Sequence, residues 1–497
     1  MLFNSYIFIF CFLPTVLIGY FLINNTQYKI LWLVVASLFF YAWWEVLYLA
    51  LIIGSILFNF LISKLLHNNT TNPYKRKLLF VLGICCNLML LGYYKYANFL
   101  VDNINYLTSL EIQIHNIILP LAISFFTFQQ IAYLVDVYRN NNIARSFSHY
   151  CLFITFFPQL VAGPIVHHQE ILPQLQDNNI YKFNYDNFSI GLIIFFIGLF
   201  KKVVLADSLA IYVNPVFTAA STGNVITFFE AWCGALGYAM QLYFDFSGYS
   251  DMAIGIAKTF NLDLPINFNS PYKASNIIEF WRRWHITLSR FLKDHLYIPL
   301  GGNRKGSLRK YSNLLITMVL GGIWHGAHWS FFFWGLLHGC FLLLNHLWRH
   351  ICNRLNINLA NSRLWQVIAW FITLISCLFA WVFFRANDFT SAISICEAML
   401  GLHGAVLDPR IASILPWLTQ CDCITLLGNS IGSFATKGLL WLLPTMAIII
   451  FLPNTQQFIT KYLKHNYFYA IVISLLIISC FLMLQSVQKS EFLYFDF

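Results

Sequence analysis

The stretch from Asn267 to Gly339 decides the fold, because it joins a basic amphipathic segment directly to an apolar one. It reads NFNSPYKASNIIEFWRRWHITLSRFLKDHLYIPLGGNRKGSLRKYSNLLITMVLGGIWHGAHWSFFFWGLLHG. Nine Lys and Arg residues lie between Lys273 and Lys310, against two acids, Glu279 and Asp294. Since Lys and Arg concentrate in cytoplasmic segments of membrane proteins, this part is predicted to face the cytoplasm. The apolar part that begins at Leu314 is typical of a membrane segment.

Composition extends this interpretation to the whole chain. Of its 497 residues, 59% are hydrophobic, 18% aromatic and only 10% charged, whereas about a quarter of an average soluble domain is charged. Long continuous apolar runs do not suit the alternating strands of a membrane barrel, and helices satisfy their own backbone groups in lipid. The sequence therefore predicts an all-α polytopic bundle of about 11 to 13 membrane helices, re-entrant segments included. It forms one domain over residues 1–497.

Charge and cysteines exclude several other functions. The net charge is +10, but the basic residues form short clusters between apolar runs, so no nucleic-acid partner is expected. The loop with Lys75, Arg76 and Lys77 is predicted to be cytoplasmic, which places the amino terminus outside. Cys421 and Cys423 have the wrong spacing for a zinc knuckle, and a disulfide involving them is not expected.

Two segments before the central stretch are unusual for membrane helices. The segment Leu119 to Tyr138 carries Gln129, Gln130 and Asp136, which should face protein or a water-filled path because polar groups are costly in lipid. Residues 151–170 hold two prolines and a glycine within an apolar run, which predicts a broken or re-entrant helix. Residues 30–66 are too long for one span and are predicted to turn near Trp43.

His285 lies in the basic part of the central stretch. Asn276 followed by Glu279 resembles a capping box, so we expect a helix from about Ile277 to His295. His285 would lie beside its apolar face. The arginines of this helix can hold it to anionic headgroups, or can also admit a phosphorylated donor, and both interpretations remain open.

His325 is an ionisable side chain inside the apolar part. Gly321, Gly322 and Gly326 surround it, which leaves room for a helix or a thin ligand. A buried imidazole can remain a neutral base near pH 7. A packing role is the alternative for both His285 and His325. His325, His328 and His338 could be written as metal ligands, but carboxylates at helical spacing are absent and no metal is expected.

No other catalytic pattern competes with these histidines. The chain lacks a G-x-S-x-G elbow, a Walker loop and a G-x-G-x-x-G turn. Asp136, Asp245 and Asp251 could instead line a proton or ion path, so an ion-coupled transporter is the rival class.

Seven blocks, in order, make the sequence recognisable. They are LPLAISFFTFQ (Leu119–Gln129), FPQLVAGPI (Phe157–Ile165), GLFKKVVLAD (Gly198–Asp207), FDFSGYSDMAIG (Phe244–Gly255), the basic stretch from Ile266 to Gly306, GGIWHGAHW (Gly321–Trp329) and FAWVFFRA (Phe379–Ala386). The chain resembles the membrane-bound O-acyltransferase family, and within it the bacterial branch of alginate O-acetylation. The resemblance covers most of a core at about residues 119–386, and residues 402–429 are where acceptor or partner specificity could differ.

The resemblance implies a function as well as a fold. It implies a helical bundle around a central tunnel in the bacterial inner membrane, with acetyl-CoA as the acyl-donor substrate and no permanently bound cofactor. The acetyl group would pass to periplasmic acetyltransferase partners that decorate an exported polysaccharide such as alginate. A related enzyme could instead move D-alanine from a carrier protein. The family's membrane histidine corresponds to His325 and its partner to His285, while Arg282, Arg283 and Arg290 would favour the coenzyme A phosphates.

Overall fold

A computed structural model defines the protein. It describes residues 1–113, 117–140, 143–144, 146–357, 362–407, 424–426, 432–463, 467–486 and 492–493. Cys421, Cys423 and most of the segment 402–429 lie outside these ranges. The described chain is overwhelmingly helical, and one short parallel pair of strands joins Ala405–Leu407 to Ile424–Leu426. The predicted class of polytopic helical membrane protein is therefore confirmed.

The chain divides into two compact units. The first comprises residues 1–199 and 249–266, and the second comprises residues 200–248 and 267–497. The first unit contains α1 (Leu13–Leu22), α2 (Thr26–Ala42), α3 (Leu47–Asn68), α4 (Pro73–Thr108), α5 (Ile123–Asn140), α6 (Phe147–Thr155), α7 (Phe157–Leu160), α8 (His168–Ile171) and nearly all of α9 (Tyr185–Phe200). A single domain over the whole length stays a prediction.

The second unit begins where α9 ends. Its helices are α10 (Asp207–Ser221), the first part of α11 (Phe228–Thr259), α12 (Ile277–Arg283), α13 (Ile286–Leu292), α14 (Gly306–His325), α15 (Trp329–Arg354), α16 (Arg363–Arg385), α17 (Phe389–Met399), α18 (Gly432–Phe451), α19 (Thr455–Gln457) and α20 (Tyr467–Ser486). Short π-helical segments, which add one residue to a turn, connect or precede several of them, at Phe8–Phe12, Lys201–Ala206, Lys293–Tyr297 and Phe458–Tyr462.

The unusually polar helix and the broken helix both occur where they were predicted. On α5, Gln129 and Gln130 are 2% and 0% exposed, and Gln130 bonds to Asn59 of α3, so these amides face protein. Phe156 separates α6 from α7, and its successor Phe157 donates its backbone N–H to Ser37 Oγ at 3.1 Å. The backbone group freed by the break is thereby satisfied inside the protein.

The number of long apolar helices is lower than the predicted count of spans. By length and composition, six helices of the described chain can cross a membrane, or seven if the bent pair Trp441–Phe451 and Thr455–Tyr462 is one span. The six lie at Leu47–Asn68, Pro73–Thr108, Tyr185–Ser221, Trp329–Arg354, Arg363–Arg385 and Tyr467–Gln485. The shortfall has a physical reason, because several predicted segments are short, broken or polar. Helices α1 and α2, for example, are apolar but have only 10 and 17 residues.

Glycines hold α14 against α15 in the second unit. A Cβ on Gly322 would lie 2.3 Å from the carbonyl oxygen of Phe331, and one on Gly335 would lie 2.5 Å from that of Met318. Further along the pair, a Cβ on Gly339 would lie 2.6 Å from the side-chain Cδ1 atom of Leu315. Residues later in α15 contact residues earlier in α14, so the two helices form an antiparallel hairpin. Its closest approach is one turn from His325.

Candidate active site

The predicted helix from Ile277 to His295 is wrong, because the chain breaks at His285. Helix α12 ends at Arg283 and α13 begins at Ile286. His285 between them has φ 42° and ψ 55°, the left-handed conformation that non-glycine side chains seldom adopt. Such strained residues cost about 1–3 kcal/mol and cluster at functional sites. The local sequence carries only a weak signal, since His is one of the residues enriched in this conformation.

The cap of α12 agrees with the prediction in part. The side chain of Asn276 accepts the backbone N–H of Glu279 at 3.0 Å. The carboxylate of Glu279 accepts the backbone N–H of Ser275 at 3.1 Å and pairs with Arg283 at 2.6 Å.

Asn267 holds His285 in place. Its side-chain oxygen lies 3.1 Å from His285 Nδ1 and accepts the Thr287 hydroxyl at 2.9 Å, and its backbone oxygen accepts the N–H of Ile286 at 2.9 Å. Because this amide oxygen is an acceptor, His285 donates from Nδ1, and the neutral ring carries its lone pair on Nε2. Burial lowers the pKa of His285 to about 3, so the ring is neutral at pH 7. Sequence reasoning missed Asn267.

His325 is the last residue of α14 and is only 5% exposed. Its ring meets the rings of Trp334 and Phe384 nearly edge to face, with centroids 5.2 Å apart in both cases. Gly326 follows in an extended conformation, and a Cβ there would meet the Phe331 ring at 2.2 Å. The predicted role of the glycines is confirmed for the approach of a neighbouring helix. Aromatic walls keep the imidazole away from bulk water.

The two predicted histidines lie in one aromatic cluster. The His285 ring is 6.4 Å from the ring of Trp324, the residue that precedes His325. It also meets Phe246 of α11 edge to face at 4.8 Å. The structure therefore brings both histidines to the same region of the second unit, linked through Trp324.

The three predicted arginines differ in their surroundings. Arg282 is exposed, Arg283 is held by Glu279 on the preceding turn, and Arg290 is half-buried at the end of α13. All three belong to the helices that flank His285. Their role in binding a donor stays a prediction.

The other two histidines of the apolar segment have separate surroundings. His328 caps α15, with its Nδ1 3.0 Å from the Ser330 hydroxyl. His338 is fully buried and stacks on Phe280 with centroids 6.2 Å apart, while Trp334 lies 4.8 Å away. Trp334 thus contacts both His325 and His338.

A buried charge cluster near His285 was not predicted. Lys202 is 1% exposed and lies 2.9 Å from Asp207 and 2.5 Å from Asp245. The backbone N–H of Leu493 also reaches Asp245, at 3.2 Å. Lys201 and Lys202 are adjacent in the sequence, and the π-helical segment 201–206 turns Lys202 into the protein. Asp245 directly precedes Phe246, which contacts His285.

Two of the three carboxylates named for the rival ion path pair with basic side chains. Asp136 lies in the first unit, 3.3 Å from His168 Nδ1. Asp245 lies in the second unit and pairs with Lys202. These two carboxylates therefore have different partners, each with its own basic group.

Comparison with known proteins defines the class. The family model of the membrane-bound O-acyltransferases matches residues 144–386, which span α6 to the end of α16 and include both His285 and His325. Together with the relatives below, this shows that the chain belongs to the membrane-bound O-acyltransferase family. It is accordingly a multi-pass membrane enzyme that transfers acyl groups to oxygen, and the transporter alternative is set aside.

Three relatives place the chain more narrowly. It is 43% identical over 526 aligned positions to a peptidoglycan O-acetyltransferase of Helicobacter pylori, covering 100% of this chain and 98% of the relative. It is 40% identical over 406 positions to a probable alginate O-acetylase of Pseudomonas putida, covering 80% of each. It is 27% identical over 240 positions to a teichoic acid D-alanyltransferase of Streptococcus thermophilus, covering 46% of this chain and 57% of the relative.

Proposed function

We propose that this enzyme takes an acetyl group from cytoplasmic acetyl-CoA and passes it across the bacterial inner membrane for O-acetylation of a cell-envelope glycan. The end-to-end alignment with a peptidoglycan O-acetyltransferase carries the proposal. Peptidoglycan is the preferred acceptor over alginate, because the alginate-type relative matches 80% of this chain whereas the peptidoglycan-type relative matches all of it. The C-terminal region after residue 386 is where such a preference would reside.

In this proposal His325 acts as the general base. It removes the proton from the attacking hydroxyl, the hydroxyl oxygen bonds to the thioester carbonyl carbon, and the carbon–sulfur bond then breaks. The proton passes to the leaving thiolate, so the products are an acetyl ester and coenzyme A. Positioned bases of this kind contribute roughly 10²- to 10⁴-fold in rate. The aromatic walls of Trp334 and Phe384 support this role, since exclusion of water keeps the acyl group from hydrolysis.

His285 acts as a positioning partner in the same proposal. The donor bond from its Nδ1 to Asn267 leaves the Nε2 lone pair as the acceptor of a substrate hydrogen bond. The left-handed backbone at this residue holds the ring in one direction. Arg282, Arg283 and Arg290 on the flanking helices would attract the phosphates of coenzyme A at the cytoplasmic mouth of a tunnel.

A periplasmic acetyltransferase is proposed as the partner that receives the acetyl group. Such a partner is needed because the glycan lies outside the inner membrane, whereas acetyl-CoA lies inside. Helix α14 spans roughly 30 Å from its basic start to His325, which suits a base located away from the cytoplasmic surface.

The test uses purified enzyme in nanodiscs with radiolabelled acetyl-CoA, an extract of periplasmic proteins that supplies the acetyltransferase partner, and one acceptor at a time: peptidoglycan fragments or alginate. We expect label on peptidoglycan with wild type and none with His325→Ala, at equal protein levels. Labelling by D-alanine from a charged carrier protein, with no labelling from acetyl-CoA, would replace the proposal by the activity of the teichoic acid relative. Equal labelling by wild type and His325→Ala would remove His325 from the chemistry.

A further inference from the structure

A large cavity lies at the end of the α14–α15 hairpin opposite to His325. It measures about 980 Å³ and lies among α12, the end of α15 and the start of α16. Three cations line it, Lys273, Arg349 and Arg363, together with one carboxylate, Glu279. It is therefore a separate site from the histidine cluster.

The positive charge of this cavity is not balanced by its own side chains. Glu279 is already paired with Arg283 at 2.6 Å. Arg349 donates to the neutral amide of Asn276 at 3.2 Å, and Lys273 donates to a backbone carbonyl at 2.7 Å. Within the described ranges, none of the three cations that line the cavity makes an ion pair with a carboxylate. Burial and the nearby positive charge of Arg283 lower the pKa of Lys273, which an anion in the cavity would reverse.

An apolar groove continues from this cavity along the outer faces of α15 and α16. The groove measures about 450 Å³ and shares Asn345, Trp348 and Trp365 with the cavity. Its walls carry Leu344 and Ile372, which are 61% and 56% exposed. From Phe341 to Ile351 it follows about 15 Å of helix. The cationic cavity thus opens into an apolar groove that is long enough for part of an acyl chain.

The junction of cavity and groove has the composition of a membrane interface. Trp348 and Trp365 stack there with ring centroids 5.3 Å apart, and tryptophan is enriched at the level of lipid headgroups. Arg349, Arg354 and Arg363 surround this end of the hairpin, which places it on the cytoplasmic side. The cytoplasmic leaflet carries anionic lipids that attract such basic clusters.

We propose that this cleft binds one anionic phospholipid of the cytoplasmic leaflet. The phosphate lies among Lys273, Arg349 and Arg363, and one acyl chain lies in the groove between α15 and α16. Charge complementarity selects an anionic headgroup, and the continuous apolar groove selects a lipid over a soluble phosphate compound. The lipid fills the space between the two helices at the end remote from the chemistry.

The test is a binding comparison by native mass spectrometry on the full-length enzyme in lipid-free detergent. The probes are phosphatidylglycerol and phosphatidylethanolamine with identical acyl chains, glycerol 3-phosphate, and coenzyme A. We expect phosphatidylglycerol to bind at least fivefold more tightly than phosphatidylethanolamine, with no displacement by glycerol 3-phosphate or coenzyme A. Equal binding of the two lipids, or displacement by either soluble phosphate, would overturn the proposal.

Variants locate the binding to this cleft. The double variant Arg349→Gln/Arg363→Gln should remove the preference for phosphatidylglycerol. Ala369→Trp places a ring in both the cavity and the groove, so it should lower the affinity for both lipids at least fivefold. Arg354→Gln is the matched control, since this exposed arginine near the same helix end does not line the cavity. Binding of the double variant indistinguishable from that of Arg354→Gln would place the lipid elsewhere.

Discussion

The two ends of the α14–α15 hairpin are packed in different ways. At one end Gly322 and Gly326 let backbone and rings approach so closely that no Cβ fits, and His325 lies almost fully buried between aromatic rings. At the other end α15 and α16 border a cavity with Arg349 in its wall. Tight packing suits a base that must stay dry and oriented, whereas an open cationic chamber suits binding. One hairpin therefore provides both environments, roughly 30 Å of helix apart.

The largest effect is expected from removal of the base at the tight end. His325→Ala should lower acetyl transfer by about 10²- to 10⁴-fold, because the attacking hydroxyl then lacks its proposed general base. The measurement is turnover of radiolabelled acetyl-CoA in nanodiscs. His328→Ala is the control: it removes the cap of α15 at a cost of about 0.5–2 kcal/mol of stability but leaves turnover largely intact. Equal losses of turnover in the two variants would mean that turnover falls because the structure is destabilised, and not because a base is removed.

The next effect tests the close packing itself. Gly322→Ala should destabilise the protein by about 1–3 kcal/mol, because the new Cβ meets the Phe331 carbonyl oxygen at 2.3 Å. The matched control is Gly92→Ala in α4, where nothing lies within 4 Å of the added Cβ. Its melting temperature should stay constant or rise, since alanine favours helix over glycine. Similar melting temperatures for the two variants would contradict the packing argument.

A third prediction concerns the support of His285. Asn267→Ala leaves two buried donors, His285 Nδ1 and the Thr287 hydroxyl, without this acceptor, which should cost about 1–3 kcal/mol of stability. Because the ring loses its orientation, kcat should fall more than KM for acetyl-CoA rises. Steady-state kinetics separates the two. A change in KM alone would assign Asn267 to donor binding.

A fourth prediction follows from the lowered pKa of His285. Its folded-state value is about 3 against 6.5 in the unfolded chain. Between these values the unfolded state binds more protons, so this residue makes the free energy of unfolding decrease as the pH falls below about 6.5. His285→Asn, whose amide can donate to Asn267 and whose backbone tolerates the left-handed conformation, should flatten that decrease. If the melting temperatures of wild type and variant fall by the same amount from pH 7 to pH 4, His285 does not contribute to the pH dependence of stability.

The smallest effect is expected at the open end. Arg354→Gln changes an exposed side chain at the end of α15. The free energy of unfolding should therefore stay within about 0.5 kcal/mol of wild type, and turnover should stay unchanged. Thermal unfolding and acetyl transfer in the same nanodiscs check this. A larger effect would mean that the two ends of the hairpin are coupled.

Several features could be predicted from the sequence because they depend on local chemistry. The buried amides of α5 follow from the cost of polar groups in lipid, and the break between α6 and α7 follows from a proline inside an apolar run. The glycines beside His325 indicated close helix approach, since only glycine removes the Cβ. In each case the chemistry of the residue type alone predicts the structural feature.

Other features depend on contacts between residues far apart in the chain. The local sequence gives only a weak signal that His285 breaks a helix, because the strained backbone is stabilised by Asn267, 18 residues earlier. The buried ion pair of Lys202 and Asp245 likewise joins residues 43 positions apart. The cationic cavity likewise needs Lys273, Arg349 and Arg363 to meet from three separate segments.

The sequence by itself determined that this protein is a helical membrane enzyme of the O-acyltransferase family and that His285 and His325 are its candidate catalytic residues. Composition, apolar periodicity and contiguous motifs carry that information residue by residue. Only the tertiary structure decided the direction of the His285 ring, the aromatic walls around His325, the buried charge cluster and the cationic cavity with its apolar groove. Those features arise because packing brings distant side chains within a few ångströms, and it holds some of them in conformations that local propensity disfavours.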